Sequence, residues 1–193
     1  ITTRKSWCAS STHDIEEKFC GLVHNQLKKK YTNLFTIIIP RHIDRVESIV
    51  NELKNLNLRV HVHGSKKMIK SDVDIYLVDE YGKTKSFYKF CKNIFLGGSL
   101  INHGGQNPLE AARYGCNILH GPNTQNFSEI YKFLKHNKIS KKVYNQKQIV
   151  NHLDLLLSKK SDSKKIQKKL KFIGHKILEN TYKEVKLVLS NEI

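Results

Sequence analysis

The sequence predicts an α/β fold, a Rossmann-like, doubly wound parallel sheet with helices on both faces. Segments of strand character alternate with helical segments along the 193 residues. Several of the strands are continuous apolar runs, as expected where a parallel sheet is covered on both faces. The composition is globular, with 39% hydrophobic and 26% charged residues. Because we find neither an internal repeat nor a Pro- or Gly-rich linker, residues 1–193 are predicted to form one domain.

The first half of the chain is predicted to contribute four strands and three helices. The strands are placed at residues 6–9, 34–39, 59–63 and 75–78. The helices are placed at about residues 14–30, along the apolar positions 46, 49, 50 and 53, and through positions 87 and 90. The run LFTIII at residues 34–39 is continuously apolar, and it predicts a strand buried on both faces of a parallel sheet.

The second half adds three strands and a helical tail. Strands are predicted at residues 94–96 and 117–120, with an edge strand at residues 140–143. Helices are predicted at residues 108–114, 127–135, 146–157 and about 162–189, so that the carboxyl-terminal helices occupy about residues 146–189.

Four of the ten glycines lie within residues 97–112, which read GGSLINHGGQNPLEAA. Glycine permits positive φ and the close approach of a ligand. Asn107 is a favourable N-cap, Pro108 suits the first helical position, and Glu110 has the spacing of a capping box. This pattern predicts a glycine loop and a helix N-terminus whose free N–H groups bind a phosphate or another anion. The alternative is a tight turn with a capped helix and no ligand; the paired glycines and the N-P-x-E string favour a site.

Polar segments follow the predicted strands, at the edge of the sheet where such folds bind ligands. They are residues 10–13, 40–42, 79–82, 97–107 and 121–126. Arg41 comes directly after a buried strand and is the predicted phosphate ligand, because a guanidinium offers a planar fork of donors. A salt bridge to a neighbouring carboxylate is the alternative for Arg41. His13 and His42 fit capping or supporting roles as well as they fit direct contact.

The chain is strongly basic, with 34 Lys and Arg against 17 Asp and Glu and a net charge of +17. Such a surplus is typical of proteins that meet nucleic acid, an anionic membrane or an anionic substrate. We find no aromatic-interleaved basic stretch, helix-turn-helix or zinc-finger pattern, which argues against a nucleic-acid-binding domain. Four scattered cysteines without CxxC spacing indicate a reducing, cytoplasmic setting. We find no pair of acidic residues at the end of a predicted strand, the pattern that would indicate a metal site.

Six strings of residues, in this order, resemble the carboxyl-terminal half of the bacterial 3-deoxy-D-manno-octulosonic acid (Kdo) transferases. They are WCASSTH at residues 7–13, PRH at 40–42, D-x-x-G at 79–82, FLGGSL at 95–100, GGQNPLEAA at 104–112 and G-P-x-T-x-N-F at 121–127. The resemblance covers residues 7 to about 134, and the string at residues 104–112 is the most specific part of it.

The resemblance implies the C-terminal domain of a GT-B glycosyltransferase that binds the donor CMP-Kdo and needs no metal or other cofactor. In this family an N-terminal domain holds the lipid A precursor, the catalytic base and the membrane anchor. The chain has no initiator Met or signal peptide, and we expect a fragment that lacks this acceptor domain. The whole protein is then expected at the anionic cytoplasmic face of the bacterial inner membrane, where it functions in lipopolysaccharide biosynthesis. The fragment is expected to be soluble, to contain no catalytic residue and to be inactive alone.

Carried over residue by residue, the resemblance implies a CMP site with nine contacts. They are Pro40, Arg41, Tyr81, Gly82, Lys83, Asn107, Pro108, Leu109 and Glu110. Secondary candidates are Ser10, Thr12, His13, His42, Gly104 and Gly105. Arg41 and the helix N-terminus are expected to hold the phosphate, and Glu110 the ribose hydroxyls.

Two residues depart from the family pattern. Ile15 replaces a glycine, which puts a close backbone approach in doubt, and Lys83 replaces a glutamate, whose role cannot be transferred to it. The implied reaction is an inverting displacement of CMP by an acceptor hydroxyl. The competing enzyme reading is another GT-B transferase, or an epimerase, that uses a UDP-sugar; the missing diphosphate signature argues against it.

Overall fold

The computed structural model describes residues 4–190, and its centre is a seven-stranded sheet in which every pair of neighbouring strands is parallel. The strands are β1 (Ser6–Thr12), β2 (Phe35–Pro40), β3 (Val60–Val62), β4 (Ile75–Leu77), β5 (Asn93–Leu96), β6 (Asn117–His120) and β7 (Ser140–Lys142). Their order across the sheet is β3-β4-β2-β1-β5-β6-β7. The order runs outward in both directions from β1, which confirms the doubly wound, Rossmann-like fold predicted from the sequence.

Seven α-helices connect or follow the strands. They are α1 (Glu16–Lys28), α2 (Val46–Asn55), α3 (Thr84–Phe90), α4 (Leu109–Arg113), α5 (Ser128–His136), α6 (Gln146–Leu157) and α7 (Ser163–Ser190). Two short 3₁₀ turns, Ile43–Arg45 and Gln125–Phe127, lead into α2 and α5. The predicted helices agree with these bounds to within a few residues, because their apolar positions recur at the helical period.

The two faces of the sheet carry two separate apolar cores. Trp7 and Ala9 point to the face covered by α1, α2 and α6, whereas Cys8 points to the face covered by α3, α4, α5 and the start of α7. Successive side chains of a strand point to opposite faces, so a strand with a core on each side must be apolar throughout. All four cysteines are buried free thiols in these cores.

Strand β1 is three residues longer than predicted, and the extension matters for the site. Ser10 and Thr12 continue the pairing with β2, and Ser11 between them forms an irregularity with a φ of 54°. Both paired side chains are fully buried in spite of their polarity. The apolar pattern of the sequence therefore ended before the strand did.

Helix α7 packs against the domain only through its first turns. Ile166 is buried, whereas the side chains from Gly174 onward are exposed. Within residues 4–190, none of the helices is both long enough and apolar enough to span a bilayer.

Candidate functional site

A cavity of about 360 Å³ lies at the carboxyl ends of β1, β2 and β5. Seven of the nine CMP contacts predicted from the sequence line it: Pro40, Arg41, Tyr81, Gly82, Lys83, Asn107 and Glu110. These seven residues come from three segments that are distant in sequence. Of the other two predicted residues, Pro108 is buried and Leu109 lines a separate groove against α7. A larger cavity of about 580 Å³ lies at the opposite edge of the sheet, where Arg59 is paired with Asp72 and Asp74.

Arg41 is positioned by the strand edge while its guanidinium remains exposed. Its backbone N–H donates to the carbonyl of Thr12 over 2.8 Å, which fixes the end of β2 beside the end of β1. Within residues 4–190 the Arg41 side chain forms no ion pair, whereas nearby Arg45 is paired with Asp14 and Glu17. The salt bridge considered as the alternative for Arg41 is thus absent from the described chain. Its fork of donors is available to an anion in the cavity.

The start of α4 differs from the predicted capping box. Asn107 Oδ1 accepts a hydrogen bond from the N–H of Leu109 over 3.0 Å, and α4 begins at Leu109 rather than at Pro108. The carboxylate of Glu110 does not return to the backbone at the helix start. It accepts from Thr84 Oγ1 over 3.2 Å and lies 3.6 Å from the ammonium of Lys85. The capping-box prediction is wrong because residues of α3 bind this carboxylate, which also faces the cavity.

The turn before α3 forms the opposite wall of the cavity. Gly82 has a φ of 76°, a conformation that L side chains rarely adopt. The neighbouring Tyr81 is 59% exposed, so its ring is free to contact a ligand. Lys83 lies 2.9 Å from Glu80, which places an ammonium and not a carboxylate at the position where the family pattern has glutamate.

Glu16 is a residue of this edge that the sequence analysis did not single out. Its buried carboxylate accepts four backbone N–H groups, from His13 over 3.0 Å, Gly98 over 2.7 Å, Ser99 over 3.1 Å and Leu100 over 3.0 Å. One side chain thereby joins the loop after β1 to the glycine loop after β5. The expectation of free N–H groups in the glycine loop is wrong for these three loop residues, because an internal carboxylate occupies them.

Ile15, which departs from the family pattern, directly precedes Glu16 and keeps a glycine-like backbone conformation. Ile15 has a φ of 73°, in the left-handed region that favours glycine, and its side chain is 66% exposed. Its side chain therefore points away from the close approach between the two loops. The consequence of replacing glycine is local backbone strain, on the order of 1–3 kcal/mol, and not a steric block at the site.

The secondary candidates lie behind or beside the cavity. Ser10 Oγ hydrogen-bonds the hydroxyl of buried Tyr88 over 2.7 Å, and Thr12 is buried at the end of β1. Gly104 and Gly105 have φ values of 96° and 78°, and the carbonyl of Gly104 accepts from the N–H of Asn126. Their positive φ supports the loop geometry predicted for the glycines. None of these four is among the residues that line the cavity.

The two candidate histidines belong to a cluster that also contains His103. The ring centroid of His13 lies 4.2 Å from that of His103 and 5.5 Å from that of His42. Burial lowers the pKa of His13 to about 4, and the positive groups of His103, His42, Arg41 and Arg45 act in the same direction. His13 is therefore neutral at pH 7, whereas its surroundings are positive.

Two buried histidines predict that the fold loses stability in mild acid. Burial lowers the pKa of His13 and of His120 from 6.5 to about 4. Between these pH values the unfolded chain binds more protons than the folded chain, so the free energy of unfolding falls as the pH drops from 6.5 towards 4. We expect an uptake of about one to two protons on unfolding near pH 5. Urea unfolding at several pH values measures it, with exposed His136→Gln as the control for loss of a histidine. Equal stability at pH 6.5 and pH 4.5 would contradict this prediction.

Comparisons of sequence connect this geometry to known proteins. No protein-family model matches the chain. The chain is 32% identical over 131 residues to the 3-deoxy-D-manno-octulosonic acid transferase of Haemophilus influenzae, an alignment covering 68% of this chain and 31% of that protein. It is 32% identical over 184 residues to the protein of the same name from Rickettsia typhi, which covers 93% of this chain and 40% of that protein. The chain thus spans between about a third and two fifths of the length of these curated relatives.

Solved structures give the same assignment. The C-terminal CMP-Kdo binding domain of WaaA from Acinetobacter baumannii superposes with a TM-score of 0.80 and 25% identity, covering 91% of this chain and 89% of that chain. The C-terminal domain of LpcC from Francisella tularensis superposes with a TM-score of 0.52 at 16% identity, which supports the Rossmann-like fold alone. Both comparisons support a 3-deoxy-D-manno-octulosonic acid transferase C-terminal domain, to which this chain is similar in sequence and in fold.

Proposed function

We propose that this chain is the donor-binding part of an inverting glycosyltransferase, which transfers Kdo from CMP-Kdo to a lipid A precursor in lipopolysaccharide biosynthesis. The observation that carries the proposal is the cavity at the sheet edge. It collects Arg41, the turn at Tyr81–Lys83 and Glu110 from separate segments, and each segment matches a family string. A turn with a purely structural role would not be expected to bring separate family strings together around one cavity.

The side chains of the cavity suit the parts of a CMP ester. The exposed guanidinium of Arg41 is suited to the phosphate, because it offers two parallel donors and carries no internal ion pair in the described chain. The Glu110 carboxylate, held by Thr84 and Lys85, retains lone pairs for the ribose hydroxyls. We assign contact with the cytosine to Tyr81 and the backbone near Gly82, because both line the cavity and the Tyr81 ring is exposed. Fixed donors at the leaving phosphate stabilise the charge that develops as CMP departs.

The remaining steps of transfer belong to parts of the protein outside this chain. Acceptor binding, deprotonation of the acceptor hydroxyl and attachment to the cytoplasmic face of the inner membrane are proposed for an N-terminal domain. The net charge of +17 would favour an anionic lipid surface. On this proposal the chain binds donor but transfers no sugar by itself.

Calorimetric titration with CMP, with UDP as the competing nucleotide and EDTA present, tests the donor site. We expect CMP to bind more tightly than UDP, and Arg41→Ala and Glu110→Ala each to weaken CMP binding by about tenfold or more, the value of a lost charge-assisted hydrogen bond. Arg113→Ala is the matched control, because Arg113 lies on the same helix as Glu110 but outside the cavity lining.

Two results would overturn the proposal. Tighter binding of UDP would assign the chain to a different nucleotide-sugar specificity. CMP binding that survives both Arg41→Ala and Glu110→Ala would place the nucleotide elsewhere on the molecule.

A further inference from the structure

Three histidines from three different segments meet beside the cavity. His13 follows β1, His42 follows β2, and His103 lies in the glycine loop after β5. The His13 ring contacts both of the others, with ring centroids 4.2 Å away for His103 and 5.5 Å away for His42. His13 is largely buried, whereas His42 and His103 are exposed. Three strand ends thus bring imidazole groups to one point, although the proposed nucleotide contacts use none of them.

Gly98 lets this cluster and Gln106 pack closely together. A Cβ atom at Gly98 would lie 3.0 Å from His103 Cδ2, 3.2 Å from His13 Nε2 and 3.3 Å from Gln106 Nε2. These contacts are too tight for a larger residue, so the glycine allows the three side chains to approach the loop. Gln106 also lines the cavity, and its amide nitrogen lies 3.5 Å from His13 Nε2, so the cluster adjoins the proposed nucleotide site.

The charges around the cluster favour an anion. Arg41 and Arg45 are near enough to disfavour a proton on His13. The nearby carboxylates are already occupied: those of Asp14 and Glu17 by Arg45, and that of Glu16 by backbone N–H groups. Within residues 4–190 no carboxylate forms an ion pair with any of the three histidines. A bound anion would supply the missing negative charge.

We propose that His13, His42 and His103, with Gln106, bind the carboxylate of the donor's sugar acid. This inference rests on the proposed function. In a CMP-linked ulosonic acid the carboxylate and the phosphate ester oxygen are bonded to the same carbon, so the two anionic groups must be bound at adjacent points. His42 directly follows Arg41, and His13 directly follows Thr12, whose carbonyl accepts the Arg41 N–H over 2.8 Å. The cluster is therefore carried by the same strand ends as Arg41, the residue proposed to hold the phosphate. It determines specificity for acidic over neutral sugars.

The test compares the affinity for CMP with that for freshly prepared CMP-Kdo in the wild type and in single variants. We expect the wild type to bind CMP-Kdo about tenfold more tightly than CMP, the effect of one or two charge-assisted hydrogen bonds. His42→Gln and His103→Gln should reduce this ratio severalfold and leave CMP affinity within about twofold, as expected for lost contacts to the acid alone. His13→Gln should reduce the ratio in the same way. The two exposed histidines keep the test valid if that variant is destabilised. His136→Gln is the control.

A second readout separates binding from structural support. Ring signals of His13 should move towards the protonated form when CMP-Kdo binds and not when CMP binds, because only the former adds a carboxylate to the cluster. Equal affinity for CMP and CMP-Kdo in the wild type, or a ratio unchanged in all three variants, overturns this inference and leaves the donor site intact. Failure of the wild type to bind CMP overturns the proposed function together with it.

Discussion

Replacing Glu16 with alanine is expected to lower the free energy of unfolding by about 4 kcal/mol or more and to remove nucleotide binding. The Glu16 carboxylate is buried and accepts four backbone N–H groups, three of them from the glycine loop. Each buried donor left without a partner costs about 1–3 kcal/mol, and the alanine variant leaves all four. The loss also separates the loop after β1 from the loop that leads to Asn107 and Glu110, so the cavity walls lose their common support.

Chemical denaturation of the wild type, Glu16→Ala and Glu16→Gln measures the effect. The glutamine variant keeps the side-chain volume and one acceptor oxygen, but its amide group faces backbone donors, so we expect an intermediate loss. Glu129→Ala is the control, because the Glu129 side chain is 81% exposed. A Glu16→Ala variant within about 1 kcal/mol of the wild type would show that the four N–H groups find other partners.

The fold could be predicted from the sequence because its signals are local. The run LFTIII lies in β2, near the centre of the sheet, and the segment Asn117–His120 was placed at its observed bounds. Strand β1 was predicted too short because its end is polar. Ser10 and Thr12 are buried through contacts with Tyr88 and β2, and composition does not record such contacts.

The site could be predicted where the chain itself positions a residue. Arg41 directly follows a central strand, and Gly82 lies in a tight turn. The sequence order alone therefore places both residues at the carboxyl edge of the sheet. The errors concern contacts between distant segments. Glu110 was assigned to a capping box, but Thr84 binds it from α3. Glu16 was read only as part of a helix start, although its hydrogen-bond partners lie in the glycine loop.

The role of Gln106 was missed for the same reason. Its neighbours in sequence gave no indication that its amide would lie against His13 and Gly98. In both cases a side chain that follows β1, Glu16 or His13, finds its partners in the loop after β5. A pattern read along the chain finds each loop but does not find the pairing between them.

Gly121→Ala tests that pairing from the other side of the glycine loop and is expected to cost about 3 kcal/mol or more. A Cβ at Gly121 would collide with the carbonyl of Ser99 and lie 2.6 Å from the backbone nitrogen of Leu100. The N–H of Gly121 also donates to Ser99 Oγ over 2.8 Å. The loop cannot move aside without cost, because Glu16 holds the N–H groups of both Ser99 and Leu100.

The matched control for this substitution is Gly174→Ala in helix α7. No atom lies within 4 Å of a Cβ placed at Gly174, and alanine favours a helix interior by about 0.5–1 kcal/mol relative to glycine. The same chemical change should therefore stabilise the chain at Gly174 and destabilise it at Gly121, as measured by thermal and urea unfolding. If Gly121→Ala unfolds at the wild-type midpoint, the glycine loop is not held rigidly between Glu16 and β6. The loss predicted for Glu16→Ala would then also have to be smaller, because both effects depend on the same fixed backbone.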